Sequence, residues 1–201
     1  ETRAMTKSVD FYFDFGSPAA YLAATQLPHV CADTGAQLVW KPMLLGGVFQ
    51  ATGNHSPAEI KPKGPYMNID LKRFAKRYGV PFVHNPHFPI NTLLLMRGAT
   101  GIQMKEPARF AAYVDAIYHA MWVDPRNLND PATVGTVLQN AGFDATALLA
   151  LAGAQEVKDR LKAVTQEAVE RGVFGAPTMF VGDQMFWGQD RLDFVREALA
   201  A

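Results

Sequence analysis

Sulfur chemistry is almost missing from this sequence. One of its 201 residues, Cys31, is a cysteine. A single thiol excludes an intramolecular disulfide and a cysteine-built metal site. Cys31 falls inside a predicted helix and reads as a small buried hydrophobe. The five histidines, His29, His55, His84, His87 and His119, show no metal-ligand spacing. An excess of one charge sign is missing too. Lys+Arg and Asp+Glu number 19 each, with no run of like charge, which argues against nucleic acid as the main partner. No apolar run approaches the roughly 20 residues of a membrane-spanning helix. The start, Glu1-Thr2-Arg3-Ala4-Met5-Thr6-Lys7, lacks the apolar centre of a signal peptide. Glu1 to Ala4 read as foreign residues ahead of a native Met5, and the expected location is cytoplasmic. There is no internal repeat and no low-complexity tract.

What is there suits one domain, or one domain with an insertion, and 49% hydrophobic residues can fill a sizeable core. The organising stretch is Asp14-Phe15-Gly16-Ser17-Pro18-Ala19-Ala20-Tyr21. An alternating run, Val9 to Phe13, reads as a strand before it, and Pro18 to about Asp33 reads as a helix after it. Ser17 thus sits at the N-cap with Pro18 at the first helical position, where a missing N–H costs nothing. The unpaired N–H groups and partial positive charge of such an end favour an anion.

Gln37 to Lys41 reads as a second strand ended by Pro42, so a parallel strand–helix–strand unit opens the chain. Met43 to Phe49 is apolar and interrupted by glycine, and Ala51 to Pro65 reads as a long loop by composition. From Tyr66 to Arg171 almost everything has helical spacing: Tyr66–Tyr78, Ile90–Thr100, a helix opened by Pro107, one capped by Asp130 and Pro131, a short one from Asp144, and Gln155–Arg171. Thr178-Met179-Phe180-Val181 and Gln184-Met185-Phe186-Trp187 predict a hairpin turning at Gly182-Asp183. Asp190 reads as the N-cap of a last helix, Arg191 to Leu199. Two β-rich ends around a helical insert predict one mixed sheet, class α/β.

Four stretches together carry a resemblance. They are Asp10 to Pro18, Gly53-Asn54 ahead of Lys63-Gly64-Pro65-Tyr66-Met67, Val173-Phe174-Gly175-Ala176-Pro177-Thr178, and Phe186-Trp187-Gly188-Gln189-Asp190-Arg191. In this order they resemble the 2-hydroxychromene-2-carboxylate isomerases, which are related to kappa-class glutathione transferases in the DsbA-like thioredoxin superfamily. The resemblance implies a thioredoxin-like domain over 8–48 and 172–201, with β-α-β and β-β-α halves, and an inserted all-helical subdomain over 49–171. It implies a cis proline, Pro177, facing the helix that starts after Ser17. In a redox member a Cys-x-x-Cys would stand where this chain has Ser17-Pro18-Ala19-Ala20, so disulfide exchange is disfavoured.

The resemblance further implies glutathione as a catalytic cofactor and a role in breaking down aromatic compounds. By position Ser17 is the catalytic serine that hydrogen-bonds the glutathione sulfur. Asn54 and Lys63 reach the tripeptide, and the Ala176 backbone pairs with its cysteinyl unit. Trp187, Gly188, Gln189 and Asp190 hold its γ-glutamyl end, where the Asp190 carboxylate suits an ammonium. The implied reaction is the conversion of 2-hydroxychromene-2-carboxylate to trans-o-hydroxybenzylidenepyruvate, on a homodimer, with a conjugated aromatic second substrate. Two alternatives stand beside it: a kappa-like glutathione transferase or peroxidase, and a non-catalytic module that pairs extended peptides beside Pro177. Phe49 falls near the place where relatives carry a substrate-contacting lysine, and Phe88 replaces a tyrosine. Tyr118 and Trp122 read as core or dimer contacts. The sequence assigns no role to Arg97, and Lys61 reads as a solvated loop charge as readily as a contact.

Overall fold

Alternation in the first strand decides which side of the sheet each aromatic serves. In the computed structural model, which describes residues 6–201, β1 spans Ser8–Phe13. Phe11 and Phe13 stack on one face with ring centroids 5.5 Å apart. Tyr12 points to the other face and meets Phe180 edge-on at 5.8 Å. The reading of Met5 as the native start lies outside the described residues.

Helix α1 (Pro18–Thr34) ends at Gly35, whose φ of 68° places it in the left-handed region that glycine adopts without a Cβ clash. Strand β2 (Gln37–Pro42) returns parallel to β1. The middle of the chain is helical: α2 (Leu45–Thr52), a 3-10 turn at Pro57–Glu59, α3 (Lys63–Tyr78), α4 (Leu93–Lys105), α5 (Phe110–Trp122), α6 (Pro131–Asn140), α7 (Ala145–Gly153) and α8 (Gln155–Glu170). Then β3 (Thr178–Val181) pairs antiparallel with β1, β4 (Gln184–Trp187) pairs antiparallel with β3, and α9 (Leu192–Ala200) closes the chain. The sheet order is β2-β1-β3-β4. The mixed sheet, the hairpin and the helical middle agree with the sequence reading.

Each face of the sheet has its own core. On one, Phe11, Phe13 and Phe15 pack with the inner residues of α1, α5 and α9. On the other, Tyr12, Met43, Val48, Ala168, Val173 and Phe180 form a smaller cluster. Helix α8 is pinned there by charge as well. The Tyr12 hydroxyl and Lys41, the latter at 3.2 Å, both reach Glu167 Oε1. Arg171 pairs with Asp10 at 2.8 Å and lies 3.8 Å above the Phe180 ring. In the helical layer, Gly98 and Gly101 of α4 leave room for Tyr113 and for Leu148 and Leu151 of α7, which a Cβ would strike.

Three local expectations are corrected. Met43–Phe49 is not merely a glycine-interrupted run, because α2 forms across Gly46 and Gly47. Its first N–H, from Leu45, donates to the Asp14 carboxylate at 2.9 Å, and its Val48 is fully buried. A tertiary anchor overrides weak helix propensity. The supposed loop to Pro65 already contains the start of α3, where Pro65 sits in the first turn and its missing N–H does no harm. Asp190 is not the N-cap of the last helix. A 3-10 turn at Gln189–Arg191 precedes α9, and the Asp190 carboxylate pairs with Arg191 at 2.8 Å instead.

Candidate functional site

The site begins where β1 hands over to α1. Ser17 has the extended backbone of an N-cap, φ −98° and ψ 115°, and its Oγ accepts the Ala20 N–H at 3.1 Å. That same Oγ donates its proton to the Ala176 carbonyl at 3.2 Å. Ser17 is 6% exposed. Pro18 has no N–H, and helix geometry gives the Ala19 N–H no intrahelical acceptor. The end of α1 therefore offers a hydroxyl, an amide and a partial positive charge at one point.

Facing it is the segment before β3. Ala176–Pro177 is a cis peptide, as expected, and the Ala176 carbonyl turns toward Ser17. Among the described residues the Ala176 N–H has no backbone acceptor. One half-buried residue thus presents a donor and an acceptor to the same opening, the pattern a free strand edge shows to an extended chain. Next along, Pro177 O accepts the Gly188 N–H at 3.0 Å. Gly188 has φ 104°, and a Cβ there would strike the Asp190 carboxylate, so this turn needs glycine. Trp187 is 48% exposed, with its ring 5.2 Å from that of Phe174 and its Nε1 over Gly175. Gln189 is nearly buried, and its carbonyl accepts the Tyr78 hydroxyl at 2.8 Å.

Ser17, Ala176 and the run Trp187–Asp190 are thus brought together. Asn54 joins them in part. It sits just past α2, where its Nδ2 donates to Phe174 O at 2.8 Å and its Oδ1 accepts the His55 N–H, so its amide steadies the 174–177 segment. Lys63 opens α3 at the surface and makes no side-chain hydrogen bond or ion pair to the other members among the described residues.

Sequence reading missed Asp14. It is 3% exposed and lies beneath the Ser17 turn. Its Oδ1 accepts Gly16 N–H at 2.9 Å and the Thr92 hydroxyl at 2.7 Å, its Oδ2 accepts Leu45 N–H, and its carbonyl accepts Ser17 N–H at 3.1 Å. One carboxylate ties the Ser17 turn to the starts of α2 and α4. Burial raises its pKa, while the Gly16, Leu45 and Thr92 bonds oppose the rise. The only available signal was an acid inside an aromatic run before Gly-Ser-Pro, and that pattern alone does not reveal its partners. Tyr118 and Trp122 are core residues: Trp122 Nε1 donates to Phe15 O at 2.8 Å. Burial raises the pKa of the Cys31 thiol, which makes it less reactive.

Comparison with known proteins places this geometry. Residues 8–200 match the model of the DSBA-like thioredoxin domain. The chain is also 36% identical over 200 residues to the 2-hydroxychromene-2-carboxylate isomerase of Sphingobium xenophagum, a match covering 97% of this chain and 99% of that protein. The chain belongs to the DSBA-like thioredoxin family, among the 2-hydroxychromene-2-carboxylate isomerases. The solved structure of a 2-hydroxychromene-2-carboxylate isomerase superposes with a TM-score of 0.84 at 34% identity, covering 96% of this chain and 94% of that one. Glutathione S-transferase kappa 1 of Homo sapiens is 25% identical over 208 residues, 97% of this chain and 92% of that protein.

As a DSBA-like protein the chain keeps the helix end and the cis proline and places Ser17-Pro18-Ala19-Ala20 at the turn. Phe88 is locked in an aromatic group with His84, at 5.6 Å, and Trp122, at 6.2 Å. Its position is set by packing. Phe49, half-buried on α2, puts an apolar ring on the helix that Asp14 anchors.

Proposed function

We propose that this chain is a glutathione-dependent isomerase that acts on 2-hydroxychromene-2-carboxylate or a closely related conjugated aromatic acid. One observation carries the reading: Ser17 Oγ and the Ala176 backbone meet 3.2 Å apart at the N-terminus of α1. A cysteinyl residue laid along Ala176 as a short ladder would bring its sulfur to that helix end. The residues present fit glutathione on this observation, because Ala176 offers a donor and an acceptor and Ser17 a turnable hydroxyl. Bound glutathione would supply the nucleophilic sulfur that adds reversibly to a conjugated carbon, permits rotation about the former double bond, and is not consumed.

The chain's own groups do the rest. The α1 terminus and the Ser17 hydroxyl lower the free energy of a thiolate relative to a thiol, whose ordinary pKa is about 8.5. Ala176 fixes the orientation, worth more than new chemistry in a reaction limited by alignment. Trp187 and Phe174 give the opening an apolar rim, and Asp14 holds the turn that carries Ser17. The identity to isomerases over the whole chain supports the substrate class. Ile60, Tyr66 and Ile69, exposed by 50, 58 and 52%, support a dimer as part of the same proposal. Sedimentation that shows only monomer at micromolar concentration would remove that part.

The test is direct. Millimolar glutathione should raise the melting temperature, since a hundredfold excess over Kd adds about 2.7 kcal/mol. Hydroxychromene carboxylate should then turn over with no loss of free thiol. Turnover that consumes glutathione would favour the kappa-like transferase, a reading supported by the match to the human kappa enzyme. No thermal shift at all would favour a peptide-binding module.

A further inference from the structure

Ser17 and Ala176 meet at 3.2 Å, but they arrive there on different elements. Ser17 follows β1. Ala176 stands in the loop 172–177, between the end of α8 and β3. The middle of that loop has few ties of its own. Among the described residues the N–H groups of Phe174, Gly175 and Ala176 have no backbone acceptor. Such a loop takes its position largely from its two ends.

Both ends are referred to β1. At the far end Thr178 pairs with Tyr12, and its hydroxyl donates to Gly175 O at 2.7 Å. At the near end stands Arg171, the C-cap of α8. Its Nη1 donates to Asp10 Oδ2 at 2.8 Å and to the Tyr12 hydroxyl at 3.1 Å, which uses both hydrogens of that nitrogen. Its Cζ lies 3.8 Å from the ring centroid of Phe180, the β3 residue that pairs with Asp10. Tyr12 can accept from Arg171 because its own proton goes to Glu167, a carboxylate that Lys41 also holds at 3.2 Å.

An ion pair this open to solvent adds little stability by itself, with its side chains 28 and 26% exposed. Its effect is geometric. Asp10 and Tyr12 belong to the strand that leads into the Ser17 turn, so Arg171 fixes the start of the loop to the element that carries Ser17. A lysine could meet Asp10 alone. Serving Asp10, Tyr12 and the Phe180 ring together takes a planar fork.

We infer that Arg171 is a positioning residue for the ligand: held on Asp10, Tyr12 and Phe180, it sets where Ala176 stands relative to Ser17 and so sets the affinity for the cysteinyl unit of glutathione. This rests on glutathione being the ligand of the Ser17 site. Arg171 does not touch the reacting atoms. With the loop in place, the Ala176 ladder and the Ser17 hydroxyl engage the ligand together. With the loop displaced, only one of them is reached. The apparent Kd is the intrinsic Kd divided by the fraction of molecules in the competent arrangement. Loss of the clamp therefore raises the KM for glutathione and leaves kcat of the bound complex as it was.

The experiment uses Arg171→Met, which keeps an unbranched stem beside Phe180 and removes the fork, together with Arg171→Lys, Asp10→Asn and the Arg171→Met/Asp10→Asn double variant. Glutathione binding is read by calorimetry, KM and kcat by turnover of hydroxychromene carboxylate, and loop order by amide exchange in the free protein. Arg171→Met should weaken glutathione about fivefold with kcat at saturating glutathione held. The Val173 and Gly188 amides, bonded to Ala168 O and Pro177 O on either side of the loop, should exchange faster by about the same factor. Arg171→Lys should stay impaired, and full recovery by lysine would overturn the inference. Asp10→Asn should weaken glutathione about twofold, and adding it to Arg171→Met should weaken it no further, because both act through one contact. Should Arg171→Met fail to fold, an unchanged glutathione Kd in Asp10→Asn overturns the inference. A lowered Tm with an unchanged Kd in Arg171→Met gives the residue to the fold alone and overturns it too. Exchange that does not quicken overturns it whether or not glutathione binds. Wild type that ignores glutathione overturns the Ser17 reading, and the inference with it.

Discussion

Replacing Ser17 by alanine separates a helix cap from a sulfur ligand. In the resting protein the Ser17 proton is already engaged, at 3.2 Å from Ala176 O, while the same oxygen caps Ala20. To hold a thiolate the hydroxyl must turn from a neutral carbonyl to an ionised acceptor. A neutral bond is worth about 0.5–1.5 kcal/mol and one to a charged group about 1.5–3. The net gain on turning is therefore about 1–1.5 kcal/mol, less than the gross strength of the new bond. One pKa unit is about 1.36 kcal/mol. Ser17→Ala should thus raise the pKa of bound glutathione by about one unit and slow turnover below that pH about tenfold. Raising the pH should recover most of the rate. The cap is a separate loss. Ala20 is fully buried, so its orphaned N–H costs about 1 kcal/mol, or about 2–4 °C of Tm for a chain of this size. The assay is the ultraviolet titration of the bound thiolate, with a thermal melt on the same samples. A lowered Tm with an unchanged thiol titration would refute the reasoning and leave Ser17 as a cap alone.

Two further outcomes follow from buried contacts. Gly98→Ala drives a Cβ into the Tyr113 hydroxyl, which donates to Leu95 O at 2.7 Å, so it should cost about 1–3 kcal/mol; adding Tyr113→Phe should restore part of the lost Tm, and no restoration would point to Leu148 as the obstacle. Burial raises the folded-state pKa of Asp14 above its usual 3.8, so its contribution is fully present below that pH and is lost as pH rises through the raised value. Asp14→Asn removes this loss, so the Tm of the variant minus that of wild type should grow more positive from about pH 4 upward; a difference that stays flat with pH would contradict the buried charge.

The local signals were the legible ones. Ser17-Pro18 announced a cap because a short polar side chain before a proline at a strand–helix boundary has few other uses, and Gly182-Asp183 announced a turn for a similar reason. Asp130 and Asp144 were read correctly as caps, and each accepts a backbone N–H of its own helix. Asp190 has the same local look, but the chain spends three residues on a 3-10 turn first, and its carboxylate goes to Arg191. Helix α2 was missed because Gly46-Gly47 argues against a helix locally, while its anchor, Asp14, lies 31 residues away in sequence. The meeting of Ser17 and Ala176 came from the family resemblance and from nothing local.

The strand order has a consequence for how the protein is made. Of the four strands β1 is made first, yet one of its two neighbours, β3, is made third, and Ser17 must wait for a carbonyl 159 residues further on. Pairing across so much chain is slow, because the loop must close before the contacts that reward it form. While it waits, β1 has β2 and α1 for company and one open edge, a state prone to misplaced pairing. The Ser17–Ala176 contact therefore reports synthesis past residue 176: a nascent chain halted before it can have most of the helices described here and none of this contact.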